Sequence, residues 1–140
     1  MLSYVLLCCL ILVQVRGQCT VSELTRIIAN LTKKNDLASC MAREFENTTF
    51  PTTWISCKWS CLQEGFENIR KNCKKPCSKC GQELEKVIER QQKISRSPKC
   101  QSIRCLETCK HSNTGTIIEF LNETKNALQI INRNEIQRMN

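Results

Sequence analysis

The placement of its cysteines constrains this chain more than any other feature. Twelve occur in 140 residues, and two of them, Cys8 and Cys9, lie inside VLLCCLILV, an apolar run from Val5 to Val13. A membrane-spanning helix needs about 20 apolar residues, roughly twice this run. Val15 and Gly17 stand three and one positions before a cut after Gly17, as secretory leaders require. Residues 1–17 therefore read as a signal peptide, with secretion to the extracellular space and no membrane insertion expected. The ten cysteines that remain are Cys19, Cys40, Cys57, Cys61, Cys73, Cys77, Cys80, Cys100, Cys105 and Cys109. An even number in a small secreted chain is the signature of a disulfide framework, whereas the same density in the cytosol would suggest metal.

Residues 18–140 suffice for one domain and are too few for two. Their only aromatic side chains are Phe45, Phe50, Trp54, Trp59, Phe66 and Phe120. So small an aromatic content implies a modest core, which disulfides at about 2–4 kcal/mol each would reinforce. N-x-S/T sequons at Asn30, Asn47 and Asn122 agree with the secretory route.

Four amphipathic stretches organise the chain. Val21, Leu24, Ile28 and Leu31 share a face of helix A, from about residue 20 to 34, with Thr20 and Glu23 spaced as a capping box. Residues 35–57 carry no sustained period, contain Pro51 and read as a long connection with a short extended piece around Phe50–Ile55. Helix B follows with Trp59, Leu62, Phe66, Ile69 and Cys73 on one face and stops before Pro76. Helix C starts after Gly81 and carries Leu84, Val87, Ile88, Gln91 and Ile94, with Glu85 and Glu89 outward. Residues 95–115 are again aperiodic. A second capping box, Thr116 to Glu119, opens helix D, whose stripe is Ile117, Phe120, Leu121, Thr124, Leu128 and Ile131. Long, short and long connections predict an all-α, up-up-down-down four-helix bundle stapled by disulfides.

Chemistry beyond folding has little support. His111 is the only histidine, and no triad, phosphate loop or carboxylate pair is visible. Cys77-Ser78-Lys79-Cys80 has the spacing of redox and zinc sites, and Lys74, Lys75 and Lys79 would lower a thiol pKa. Secretion and the surrounding cysteines favour structural disulfides instead. No enzyme activity, metal or cofactor is expected. Residues 70–110 hold twelve basic and four acidic side chains. Such a block suits an acidic receptor face or sulfated glycans, and serves equally as a solvated face. Nucleic acid is not expected, since no binding motif is present.

Cys100-x4-Cys105-x3-Cys109 leads into TGTIIEFLNETKNALQII, and this stretch resembles the interleukin-9 family, with its cysteine spacing before the last helix. Gln18-Cys19 after Gly17 resembles that family's mature start, and Cys57-x3-Cys61 its entry to helix B. The family places further cysteines between those resembling Cys40 and Cys57, where this chain has none. Here Cys73, Cys77 and Cys80 lie between helices B and C, so the pairing stays open. GTIIEFLN and Phe120-Leu121-x7-Gln129 also resemble interleukins 2, 15 and 21.

The resemblance implies a short-chain cytokine, a private receptor chain, the common cytokine-receptor γ chain and Janus kinase signalling that regulates immune-cell growth. It also implies that Gln129 reaches the γ chain. At about 100° per residue, Ile118 and Lys125 fall on the stripe of Gln129, and Asn122 nearly so. A glycan on Asn122 would crowd that stripe, so Asn30 and Asn47 are the expected carriers. On helix A, Glu23, Arg26 and Lys33 are receptor-facing candidates by position. A monomer is expected. The alternative is a disulfide-rich basic host-defence or inhibitory protein, which explains the charge and cysteines but not the helical organisation.

Overall fold

The computed structural model describes residues 19–73 and 80–139. Helix α1, Ser22–Lys33, buries Leu24, Ile28 and Leu31, the face its apolar spacing predicts. Its capping position falls on Val21 rather than Thr20, with no side-chain cap bond at that residue. Glu23 accepts a hydrogen bond from Arg90, far along the chain. Lys34 is extended, with φ −83° and ψ 109°, and the chain at once resumes as α2, Asn35–Glu44. This helix corrects the expectation of an aperiodic connection from residue 35. Leu37, Met41 and Phe45 recur every fourth position against the core, which suffices for a helix packed on α1 and α5 (Ile117–Met139).

Strand β1, Phe50–Trp54, lies in the first long connection and β2, His111–Gly115, in the second. They pair antiparallel with Phe50 opposite Gly115, Thr52 opposite Asn113 and Trp54 opposite His111. This small sheet amends the all-α expectation. Between those paired positions Thr53 has φ 53°, a left-handed conformation that a β-branched residue rarely adopts. Thr53→Gly is expected to raise stability by about 0.5–1 kcal/mol, the relieved strain slightly exceeding glycine's extra entropy. A urea midpoint that falls instead would contradict this.

The other helices are α3, Lys58–Asn72, and α4, Gly81–Arg96, with a 3-10 turn over Pro98–Ile103 before β2. Helix α1 packs on α4 and α5, while α3 packs on α4, α5 and β1. Trp59, Leu62, Phe66 and Ile69 of α3 are buried, as are Leu84, Val87, Gln91 and Ile94 of α4. Pro76 lies outside the described residues.

Phe120 sits at the centre. Its ring is 5.5 Å from Phe50, stacked, 5.5 Å from Phe66, edge-on, and 6.1 Å from Trp54. Gly65 lets α3 approach this ring closely: a Cβ there would lie 2.0 Å from it.

Four disulfides join Cys19–Cys100, Cys40–Cys80, Cys57–Cys105 and Cys61–Cys109. The first ties the approach to α1 onto the 3-10 turn, and the second fixes α2 to the start of α4. The last two form a double staple between the start of α3 and the segment leading into β2. Cys73 is also disulfide-bonded, and Cys77 lies outside the described residues. Among the described residues no helix is long and apolar enough to cross a membrane.

Candidate functional site

Local bonds fix the register of α5. The Thr116 hydroxyl accepts a hydrogen bond from the Glu119 amide at 3.2 Å, as the capping-box spacing predicts. Thr124, fully buried, donates its hydroxyl proton to the Phe120 carbonyl at 2.8 Å, which satisfies a polar group inside the core. With Ile117, Phe120, Leu121 and Leu128 facing inward, the opposite side of the helix is left to solvent.

On that side Gln129 is exposed and Lys125 half-exposed. Ile118 is half-buried and packs against the core, so it borders the stripe as an apolar flank rather than standing free. Asn122 is exposed along the same line. Ile136, 46 % exposed, extends it by two turns. All five directions fall within about 40° of Gln129 at ~100° per residue. Ile136 escaped sequence reasoning because the legible apolar stripe of the last helix runs only to Ile131, whereas α5 continues to Met139.

Glu23, Arg26 and Lys33 are exposed on α1. Arg90 of α4 donates from Nη2 to Glu23 Oε1 at 2.8 Å, and Arg26 Nη2 lies 4.0 Å from the same oxygen. Glu23 and Arg26 therefore meet at the seam of α1 and α4, a grouping that adds Arg90 to the sequence candidates. At such exposure the pairing contributes about 0–1 kcal/mol. Lys33 stands apart in the last turn. Among the described residues no hydrogen bond or ion pair joins the α1 group to the α5 stripe. Asn30 and Asn47 are both exposed.

Among the described residues two groups of side chains have the composition of metal ligands, Cys40 with Glu44 and Cys80, and Glu64 with Cys109 and His111. Every cysteine in them is disulfide-bonded, and a thiolate is what would bind a metal or act as a nucleophile. The redox or zinc reading of Cys77-x-x-Cys80 meets the same obstacle, because the Cys80 sulfur is bonded to Cys40.

A mostly helical, disulfide-stapled domain with mixed polar and apolar helix surfaces is consistent with the helical cytokine class. The family model described as Interleukin-9 matches residues 1–124. The chain thus belongs to the interleukin-9 family, and as an interleukin it has cytokine receptors as partners. No curated protein and no solved structure matches it.

Proposed function

We propose that residues 1–17 are removed on secretion and that residues 18–140 act as a monomeric ligand joining a private receptor chain to the common cytokine-receptor γ chain. Bringing the two cytoplasmic tails together activates the Janus kinases attached to them and regulates immune-cell growth. The helices run up-up-down-down in this reading. Three features support that topology: α1 neighbours α5 and α4, α3 neighbours the same two helices, and the two long connections run antiparallel through β1 and β2.

The γ chain meets the α5 stripe in this proposal, with Gln129 as its polar centre, Lys125 beside it and Ile118 as the apolar border. The private chain meets the α1–α4 seam through Glu23 and Arg26, and Lys33 extends the α1 surface. Asn30 and Asn47 carry glycans away from both, whereas a glycan on Asn122 would obstruct the stripe.

The observation that carries this reading is the exposure of Gln129 on a rigid helix whose other side is the core. A protein interface draws most of its energy from a few such positions flanked by apolar contact. Immobilised γ chain supplemented with the private chain should capture the secreted protein, and Gln129→Arg should weaken capture at least tenfold, about 1.4 kcal/mol. Unchanged capture by a variant with unaltered circular dichroism would remove Gln129 from the contact.

A further inference from the structure

Around Arg90, which the receptor reading places at the α1–α4 seam, the end of α4 gathers further positive charge which that reading does not use. Arg90 and Lys93, three residues apart, share one side of the helix. With Lys99 of the 3-10 turn they line a cleft of about 290 Å³ that also contains Thr20, Glu23 and Ser97. Arg104 folds back over this helix end and donates from Nη2 to the Ser97 carbonyl at 3.0 Å. Among the described residues Glu23 is the only acid lining the cleft, and it is paired with Arg90. Lys93 and Lys99 are exposed and have no ion-pair partner among the described residues. Cys100 also lines the cleft, and its bond to Cys19 ties the two walls together.

We infer that this cleft is a binding site for a linear sulfated polysaccharide. Basic residues are favoured in the last turn of any helix by its dipole, which accounts for Lys93 and Arg96. That effect does not reach two cations beyond the helix end, Lys99, which lines the cleft with Ser97, and Arg104, which bonds the Ser97 carbonyl. An acidic protein partner is the other class that fits the charge. Protein contacts centre on buried anchors, however, and Ile94, the only non-cysteine apolar side chain lining the cleft among the described residues, is 6 % exposed, so a protein on this face, the proposed private receptor chain included, would take its apolar contact from outside the cleft. Unpaired cations beside hydroxyl groups suit sulfates, and a linear polyanion gains further by releasing its condensed counterions. The pre-formed walls spare the site an ordering cost on binding.

Heparin serves as the probe, and no receptor chain enters the assay, so its outcome is independent of the proposed γ-chain contact. On immobilised heparin the secreted chain should elute at higher salt than Lys93→Ala/Lys99→Ala/Arg104→Ala. The slope of log affinity against log salt should fall by about three for that variant, roughly one per lost cation. The charge-matched variant Lys33→Ala/Arg43→Ala/Arg133→Ala should elute close to the unaltered chain. Equal shifts for the two variants would show that only net charge matters and would overturn the site.

Glu23→Gln frees Arg90 and should bind more tightly than Glu67→Gln, which removes the same charge from an ion pair on α3 with Arg70. Equal elution of these two would also count against the cleft. Desulfated heparin should fail to compete, and competition equal to that of heparin would exclude recognition of sulfate.

Discussion

Replacing Cys57, Cys61, Cys105 and Cys109 together with alanine is expected to abolish stable folding at body temperature. Both bonds of this double staple span 48 residues of sequence, and closing one such loop contributes about 4 kcal/mol in the chain-entropy account. Once it is closed, the second bond completes only a small ring through the two four-residue segments, which adds about 2.5 kcal/mol. Removing one bond should therefore cost about 2–3 kcal/mol, and removing both about 6–7 kcal/mol, comparable with the whole stability of a small domain. Denaturant titrations of the single-pair and double-pair variants measure both steps. A double-pair variant no less stable than a single-pair one would show that the bond left in place by the single-pair variant contributes nothing.

Gly65→Ala should destabilise the protein by up to about 2 kcal/mol, although alanine favours an exposed helix interior by about 1 kcal/mol over glycine. The new methyl would lie 2.0 Å from the Phe120 ring. That ring has no easy retreat, because Phe50, Phe66 and Trp54 surround it. Overpacking of this kind costs about 1–3 kcal/mol. Shortening the obstacle tests the cause: Phe120→Leu, damaging alone, should be less damaging when Gly65→Ala is already present. A gain in thermal midpoint on Gly65→Ala would mean that α3 and α5 are not in close contact there.

The parts of this fold that were legible in the sequence are those governed by helical period. The buried faces of α1, α3, α4 and α5 correspond to residues that the spacing singles out, from Leu24 and Ile28 to Phe120 and Leu128. Shorter or longer-range determinants were not legible. Helix α2 presents little more than Leu37, Met41 and Phe45, too few repeats to stand out from a loop. Strand β2 is HSNTG, with no apolar residue at all, so its existence rests on backbone bonding to β1 rather than on any side-chain pattern.

The two T-x-x-E sequences make the same point. Thr116 and Glu119 form the local bond their spacing predicts, and Glu23 has a further partner in Arg90, 67 residues away. Spacing alone cannot anticipate a partner so distant in sequence. In the candidate site, the common stripe of Gln129 and Lys125 follows from helical geometry. The neighbourhood of Arg90, Lys99 and Arg104 depends on how α4 and the 3-10 turn meet α1 in three dimensions.

The pattern of disulfides also dictates a timetable. The four joined pairs are separated by 40, 48, 48 and 81 residues, and the first of them to become possible needs Cys80. On the secretory route proposed above, Cys19, Cys40, Cys57 and Cys61 all emerge before any of these partners exists. They pass through an interval in which only wrong pairings among themselves are available. Any bond formed among them in that interval has to be exchanged once the later cysteines have appeared, a step on the scale of seconds to hours that isomerases accelerate. The yield of active protein should be set by that exchange more than by the speed at which its helices form.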